Sequence, residues 1–331
     1  MKDNHNGTTF RVHRLTSNMG HATARQKALE MASHDWEAFM DSDDLSLPDR
    51  FQSQMSFLVS HSHISVLSGQ INEFVGSPDN VVASRQVPLS NNEIYDYARK
   101  RCPMNMVATV VKRSDILSVG GFIDWYCEED YYLWLRIMQA GFAFANMPDV
   151  LVNVRVGNDM YRRRGGWRYF KSEFRLQCYM LRHQIISLPR FLINSTMRLV
   201  GEFLAPNVLR GFLFKLMRSQ PMSSGQVSPS QQSDHPLSER SPRQSPHQAD
   251  QPPFYDASSD LTTLPPFSLA ISVYKGDNPD HFESALHSVL INQSLLPNEV
   301  ILIVDGPVPP SIDHVIDHYQ SLFNESSNHI K

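Results

Sequence analysis

Three carboxylates follow an apolar run in the segment Trp36 to Arg50, which reads WEAFMDSDDLSLPDR. The apolar residues are typical of a buried strand, and this strand is expected to end at Asp41, with Asp43 and Asp44 just beyond. Open α/β sheets bind their ligands at the carboxyl ends of such strands. Acids this close repel one another when ionised, so a site that gathers them usually holds a cation. We therefore favour a divalent metal site over the alternative, a solvated acidic turn followed by a helix cap.

A second group of acids opens the segment Cys127 to Ala140, which reads CEEDYYLWLRIMQA. Apolar residues recur in it at helical spacing, and this pattern predicts an amphipathic helix whose first turn carries Glu128, Glu129 and Asp130. The positive end of the helix dipole is by itself a sufficient reason for acids there. Aromatic residues surround them, however, and such surroundings are also typical of a binding cleft. Both interpretations stay open on the residues alone.

The composition narrows the class of protein. A chain of 331 residues allows one large domain or two ordinary ones, and a net charge of -4 gives no general attraction to nucleic acid. Cys102, Cys127 and Cys178 show no CxxC spacing, which fits a reducing compartment and argues against a thiolate zinc site. The sequence shows neither a signal peptide nor an apolar stretch long enough to cross a bilayer. We expect a cytoplasmic location, with peripheral contact at the inner face of the membrane as an option.

Strands and helices are predicted to alternate along the chain, which favours an α/β fold with a mostly parallel central sheet covered by helices on both faces. Besides the strand that ends at Asp41, strands are expected at Phe10 to Leu15, Ile64 to Leu67, Ile71 to Val75, Met106 to Lys112, Val150 to Val156 (at an edge), Ser268 to Tyr274 and Glu299 to Val304. Helices are expected at Ala22 to Ala32, Pro48 to Val59, Tyr95 to Arg99, Cys127 to Ala140, Asp280 to Gln293, and Ile312 to Phe323 with Ser311 as its cap.

Two stretches combine arginines with other functional signals. The segment Met160 to Arg168 (MYRRRGGWR) is either an exposed basic loop or a glycine-hinged loop that closes over a diphosphate. The segment 188–218 is predicted to be helical and carries many large apolar residues together with arginines. It either packs on the domain, which we favour, or lies on a membrane surface as a basic amphipathic helix.

The segment 219–266 differs from the rest of the chain. Serine, glutamine, proline and histidine dominate it, and apolar residues are scarce. Such a segment buries too little apolar surface to offset the entropy of ordering. We therefore predict a disordered linker, after which structure resumes at Phe267.

Several motifs resemble those of the family 2 glycosyltransferases, which have the GT-A nucleotide-diphospho-sugar transferase fold. The resembling motifs are SLAISVYKGDNP, a helix ending in LINQS, VILIVDGP, NMGHATARQKAL, MDSDD, and EEDYYLWLR with VGGF just ahead of it. Together they cover nearly all the chain outside the linker. The resemblance implies a hexosyltransferase that takes a sugar from a nucleotide-diphospho-sugar, with a UDP-sugar as the favoured donor, and transfers it to a glycan or lipid-linked acceptor, as in polysaccharide biosynthesis.

The order of these motifs departs from the family. There the SVY and VDGP strands come first, whereas here they follow the linker. The chain therefore resembles a circularly permuted transferase. In this interpretation 1–218 is the C-terminal part of the enzyme, 219–266 the linker and 267–331 the N-terminal, nucleotide-binding part. The alternative is a fusion of two incomplete transferases.

The resemblance also implies roles for residues that bind the donor. Asp41 and Asp43 form the DxD element, in which Asp43 would hold Mg²⁺ or Mn²⁺ against the diphosphate and Asp41 would face the ribose or the metal shell. Asp305 corresponds to the acid that accepts a hydrogen bond from uracil. The residues that would flank the nucleotide are Ser272, Tyr274 and Arg25.

On the acceptor side, Asp130 corresponds to the catalytic base of inverting transfer, which deprotonates the acceptor hydroxyl. Glu129 would orient the acceptor, and Glu128 can take either role because the three acids are consecutive. The triplet Arg162, Arg163 and Arg164 is a weaker candidate for the diphosphate.

Two other classes remain in view. A strand that ends in DxD also opens phosphatases with an aspartyl nucleophile, although these normally continue with Thr or Val where this chain has Asp44. The third class is a non-catalytic module that binds a nucleotide sugar.

Overall fold

The structure is a computed structural model that describes residues 7–157, 166–199 and 264–325. In these ranges the strands are β1 Thr9–Arg14, β2 Trp36–Asp41, β3 Leu45–Ser46, β4 Ile64–Phe74, β5 Val81–Arg85, β6 Val110–Lys112, β7 Ala143–Arg155, β8 Phe267–Val273 and β9 Glu299–Val304. The helices are α1 His21–Met31, α2 Arg50–Ser60, α3 Asn91–Ala98, α4 Arg113–Ser118, α5 Glu129–Gln139, α6 Trp167–Arg182, α7 Leu188–Arg198, α8 Pro279–Leu290 and α9 Pro310–Glu325.

All these strands form one sheet in the order β1-β9-β8-β2-β6-β4-β7-β3, with β5 paired to β4. The neighbours β1, β9, β8 and β2 are parallel, and so are β4 and β7. The remaining pairings are antiparallel. The α/β fold class predicted from the alternating pattern is confirmed, with the parallel strands concentrated in the half of the sheet that carries Asp41.

Helices cover both faces of the sheet. On one face α2, α8 and α9 contribute Phe51, Phe282 and Phe323 to a core, and on the other α1 and α5 contribute Leu29 and Trp134. A strand between two such layers must be apolar on both sides. This explains the continuous apolar runs of β8 and β9, whose residues are almost all buried.

The two strands that follow the predicted linker belong to the same sheet as the strand of the acidic motif. β8 pairs with β2 from Trp36↔Phe267 to Asp41↔Ser272, and β9 lies between β8 and β1. The circular permutation and the boundaries 1–218, 219–266 and 267–331 stay predictions. Arginines 162–164, the part of 188–218 beyond 199, and most of 219–266 lie outside the described residues.

Several predicted boundaries are wrong. The two strands proposed within 64–75 are one strand, β4, because Gly69 is not a break: a Cβ there would lie 2.5 Å from Leu151 Cδ1, so glycine lets β7 approach closely. The strand predicted from Met106 starts at Val110, since Asn105 and Thr109 close a short 3-10 turn before it.

Two further corrections concern the extent of β7 and the start of the last helix. β7 is longer than predicted and is not an edge strand, because β3 adds to its outer side. Ser311 does not cap the last helix. α9 begins at Pro310, two residues before the predicted start at Ile312, because the fixed backbone angle of proline suits the first helical turn. In the described residues no helix is both long and apolar enough to cross a membrane.

Glu37 is a fully buried acid in β2. Neither of its side-chain oxygens has a hydrogen-bond partner. Burial raises the pKa of Glu37 well above its ordinary value, and the charge of Glu299 raises it further, whereas Arg113 opposes the shift. The folded protein therefore keeps Glu37 protonated at pH values at which the unfolded chain has already released that proton.

We expect the substitution Glu37→Gln to flatten the dependence of stability on pH. Because the folded state binds the extra proton, the free energy of unfolding of the natural chain should fall as pH rises above the ordinary glutamate pKa, by at most about 1.4 kcal/mol per pH unit. The decline ends where pH passes the raised pKa. Urea denaturation at a series of pH values measures this slope, and parallel curves for the two proteins would contradict the assignment.

Candidate active site

The carboxyl end of β2 and the first turns of α1 and α5 bring most of the predicted site residues together. β2 ends at Asp41, which lies in register with Ser272 of β8. Arg25 comes from α1 and Glu129 from the start of α5. The parallel pairing of β2, β8 and β9 places Asp41, Ser272 and the residue after β9, Asp305, at one edge of the sheet.

Arg25 joins the two acidic motifs. Its Nη2 donates to Asp41 Oδ1 at 3.0 Å and its Nη1 donates to Glu129 Oε1 at 3.1 Å. The side chain is only 12% exposed. Burial by itself lowers the pKa of Arg25, but the charges of Asp41, Glu129 and Asp130 outweigh burial and raise it. This arginine is therefore a fixed positive charge between the DxD element and the acids of α5.

The three acids of the MDSDD motif have different environments. Asp43 is exposed, whereas Asp44 is 2% exposed and its Oδ1 accepts a hydrogen bond from the backbone N–H of Arg155 at 2.8 Å. Partial loss of hydration, followed by the charges of Asp41 and Asp277, raises the pKa of Asp43 to about 6. Burial and the charge of Asp43 raise the pKa of Asp44 further above its ordinary range. Only Asp41 and Asp43 are thus presented to a ligand.

Asp277 completes this group of acids from the loop after β8. Its Oδ2 accepts hydrogen bonds from Ser42 Oγ at 2.8 Å and from the backbone N–H of Tyr274 at 3.0 Å. Burial raises the pKa of Asp277, and the bonds from Ser42 and Tyr274 oppose the shift. Asp277 therefore fixes the middle residue of the DxD element to the C-terminal part of the chain.

The three consecutive acids at the start of α5 are also distinct. Glu128 is buried and bonds the side chain of Glu173, which forms an ion pair with Arg198. Burial raises the pKa of Glu128 well above its ordinary value, and the neighbouring charge of Glu173 adds to the shift. Such a group is turned away from any ligand, so Glu128 is poorly placed for either role that the sequence left open to it.

Glu129 and Asp130 are half-buried, beside Arg25. Burial raises the pKa of Glu129, and its ion pair with Arg25 opposes the shift. Asp130 Oδ1 accepts a hydrogen bond from the backbone N–H of Tyr131 at 2.7 Å, and its Oδ2 lies 3.9 Å from Cys102 Sγ. Among the hydrogen bonds and ion pairs of the described residues, Asp130 is therefore the one acid of the three that neither pairs with Arg25 nor contacts Glu173.

Asp305 organises the loop before α1. Its two carboxylate oxygens accept from the backbone N–H groups of Met19 at 2.6 Å and Gly20 at 2.9 Å. The adjacent Gly306 has φ +85, and a Cβ there would lie 2.6 Å from the backbone nitrogen of Asn18, so glycine is required for this approach. The structure gives Asp305 a positioning role that the sequence did not predict.

The other two residues predicted beside the nucleotide lie at the same edge. Ser272 lines a narrow crevice together with Arg25, between α1 and strands β2 and β8. Tyr274 is half-buried, and its ring covers Gly276, where a Cβ would lie 2.5 Å from the tyrosine hydroxyl oxygen. Both residues therefore lie at the carboxyl end of β8, the strand whose Ser272 is paired with Asp41.

A sequence model of the family described as glycosyl transferase family 2 matches residues 2–116. An uncharacterized glycosyltransferase of Haemophilus influenzae is 36% identical over 209 residues, which are 61% of this chain and 76% of the relative. The chain belongs to glycosyltransferase family 2. It is therefore a glycosyltransferase, of the hexosyltransferase kind, and the prediction of an enzyme is confirmed.

Two further relatives of this transferase carry specific names. The amylovoran biosynthesis glycosyltransferase AmsE of Erwinia amylovora is 40% identical over 162 residues, which are 49% of this chain and 60% of AmsE. A UDP-Gal:alpha-D-GlcNAc-diphosphoundecaprenol beta-1,3-galactosyltransferase of Escherichia coli is 34% identical over 201 residues, covering 61% of this chain and 72% of the relative.

The acids Asp41 and Asp43 could supply some, but not all, of the ligands that a hard divalent cation needs. Carboxylate oxygens are the ligands that Mg²⁺ and Mn²⁺ prefer, and a bound cation would offset the repulsion of Asp43 by Asp41 and Asp277. In the part of the chain that the structure describes, no three or more acidic, histidine or cysteine side chains are arranged to hold a metal. A cation at Asp41 and Asp43 therefore needs further oxygen ligands, which a diphosphate and water supply in magnesium sites of this kind.

Two contributors to the site of the transferase were missed at the sequence level. Asp277 lies in the KGDNP stretch, which reads as an ordinary turn, and its bond to Ser42 spans 235 positions of sequence. Arg155 ends β7, and its Nε donates to the backbone oxygen of Asp43 at 3.2 Å. No local pattern identifies Arg155. For Asp277 the usable signal was its position, since it is an acid in the loop directly after β8.

We expect Asp277→Ala to weaken donor binding about tenfold or more, because the loss frees Ser42 and the backbone N–H of Tyr274 from a charged acceptor, and such bonds contribute about 1.5–3 kcal/mol each. Asp277→Asn is the matched control, since its amide oxygen still accepts from both groups. Calorimetric titration with a nucleotide sugar measures both variants. Equal affinity of Asp277→Ala and the natural chain would show that the Ser42 contact does not position the donor site.

Proposed function

We propose that this chain is a metal-dependent, inverting transferase that moves a hexose from a UDP-sugar to a lipid-linked or glycan acceptor in polysaccharide biosynthesis. The observation that carries the proposal is the Arg25 bridge, which holds Asp41 and Glu129 on opposite sides of one guanidinium. It joins the element that would hold the donor to the acids that would face the acceptor. The activity for which the E. coli relative is named and the name of AmsE support the substrate classes.

On the donor side, Asp43 and Asp41 would hold Mg²⁺ or Mn²⁺ together with the diphosphate. The ion would supply positive charge that neutralises the departing diphosphate. Ser272 and Tyr274 would flank the base. Asp305 would accept from uracil, since each carboxylate oxygen has a second lone pair beyond the one used by Met19 or Gly20.

On the acceptor side, Asp130 would remove the proton of the attacking hydroxyl. The hydroxyl oxygen forms the new bond to the anomeric carbon on the face opposite the diphosphate, the bond from that carbon to the phosphate oxygen breaks, and the proton passes to Asp130. Glu129, fixed by Arg25 at 3.1 Å, would orient the acceptor. Arg25 offers its positive charge to both Asp41 and Glu129, which a neutral residue in its place would not do.

The remaining features of the proposal come from the sequence. Arginines 162–164 would contact the diphosphate as a closing loop. The order of the motifs would result from circular permutation, with 267–331 supplying the nucleotide-binding half that pairs with β2 and β1. The enzyme would act in the cytoplasm, in peripheral contact with the inner face of the membrane.

A panel of nucleotide sugars incubated with Mn²⁺ tests the proposal. The expected result is slow hydrolysis of one UDP-sugar by itself, faster cleavage with transfer of the sugar to the acceptor when a soluble acceptor analogue is added, and neither reaction with a chelator. Hydrolysis of phosphate esters would favour the phosphatase alternative. Binding without turnover would favour a non-catalytic module, and turnover that persists with a chelator would remove the metal from the mechanism.

A further inference from the structure

The helix α7 presents its apolar side to solvent. Leu188 is 57% exposed, Leu192 55%, Ile193 50% and Met197 66%. Together with Pro189, Thr196 and Leu199, which are also exposed, these residues occupy one half of the helix circumference at a spacing of about 3.6 residues per turn. We call this uncharged half the docking face.

Two polar residues of α7, Asn194 and Arg198, lie on the opposite side of the helix and bind the domain. Asn194 Nδ2 donates to the backbone oxygen of Arg99 at 3.0 Å and to Gln177 Oε1 at 2.9 Å. Arg198 forms an ion pair with the buried Glu173 of α6. Phe191 on this inner side packs on the core as well. α7 thus binds the domain through one aromatic side chain and polar contacts, and it leaves its wider apolar half exposed to solvent.

The segment that carries the docking face is rich in positive charge. Between residues 166 and 199 the chain has a single acid, Glu173, which is buried. The basic residues of that range are Arg168, Lys171, Arg175, Arg182, Arg190 and Arg198. Trp167 and Phe174 are exposed beside them on α6. This local excess of positive charge occurs in a chain whose net charge is -4.

We propose that the docking face binds the surface of an anionic lipid bilayer. An exposed apolar helix face with aromatic residues and cationic side chains beside it is the combination that inserts at the boundary of head groups and acyl chains. A second copy of the chain fits less well, because two such faces would bring like charges together. The inference rests on the proposed function in one respect, namely that the acceptor is carried by a lipid.

The docking face is connected to the catalytic acids by one layer of side chains. Arg198 on the inner side of α7 pairs with Glu173, which bonds Glu128 at the start of α5. Asp130 is two residues further along. A bilayer held at α7 would therefore lie on the acceptor side of the site, where a lipid-linked diphosphate carries its terminal sugar.

The test is co-sedimentation of the full chain with vesicles of phosphatidylcholine, with and without phosphatidylglycerol. We expect binding to the anionic vesicles, weaker binding to the neutral ones, and weakening by high salt. The double substitution Ile193→Gln and Met197→Gln should lower the partition coefficient about tenfold or more, because two apolar side chains no longer gain from burial in the bilayer. Sugar transfer to a soluble acceptor analogue should stay unchanged.

The matched control is Val59→Gln with Val82→Gln, which replaces two apolar residues that are 52% and 47% exposed elsewhere on the surface. It should bind vesicles like the natural chain. Equal binding by all three proteins, or equal losses in both variants, would overturn the proposal. So would a dimer of the natural chain that the α7 substitutions dissociate, since a second copy would then cover the face. If the natural chain binds anionic vesicles but transfers no sugar to the soluble acceptor analogue, only the proposed function is contradicted.

Discussion

Replacing Asp130 by asparagine is expected to leave donor binding intact and to lower sugar transfer by about 10²–10⁴-fold, the usual effect of removing a general base. Asparagine has nearly the same shape, and its amide oxygen still accepts from the backbone N–H of Tyr131. The two hydrogen bonds of Arg25 go to Asp41 and Glu129 and are therefore kept. Calorimetric titration with the donor, together with single-turnover transfer, separates the two effects.

Glu128→Gln and Glu129→Gln are the matched controls for this experiment. Glu128 is buried against Glu173, so its substitution should change stability more than chemistry. Glu129→Gln breaks the pair with Arg25 and should weaken acceptor use while some transfer remains. If one of these two variants binds donor normally and fails to transfer, while Asp130→Asn is active, the base is that glutamate.

Substituting Asp43 by alanine should abolish metal-dependent donor binding. The carboxylate is exposed, so its removal should leave the melting temperature nearly unchanged, and relief of repulsion from Asp41 and Asp277 even favours the folded state. A divalent ion would lose one of the two carboxylates that the site offers it. Titration of the donor with and without Mn²⁺ measures the effect.

Asp49→Ala is the control for Asp43→Ala. Asp49 is exposed and lies six positions further along, and its side chain makes no cap bond to α2. Its removal takes away the same charge from the same region of the chain and should leave donor binding unchanged. Unaltered Mn²⁺-dependent affinity in Asp43→Ala would remove the metal from this position.

Much of the fold was predictable because burial on both faces of a sheet demands continuous apolar sequence. That requirement identified β2, β8 and β9 and the acid at the end of β2. The helical spacing of α1, α5 and α8 was equally clear, since one face of each is buried. The prediction failed between Leu67 and Ile71, where two strands were expected and β4 instead runs through Gly69. The reason is the side chain of Leu151 on another strand, which no local pattern contains.

The sequence by itself determined the family, the α/β class and the two acidic motifs, because these depend on residue types and on short, local spacing. Only the tertiary structure decided the surroundings of each acid. Asp41, Asp43 and Asp44 look alike in sequence, yet Asp44 is turned inward to Arg155, and the partners of Asp41 and Ser42 come from elsewhere in the chain. The physical reason is that ionisation and orientation depend on charges and hydrogen bonds across space, and residues 235 positions apart meet only when the sheet has formed.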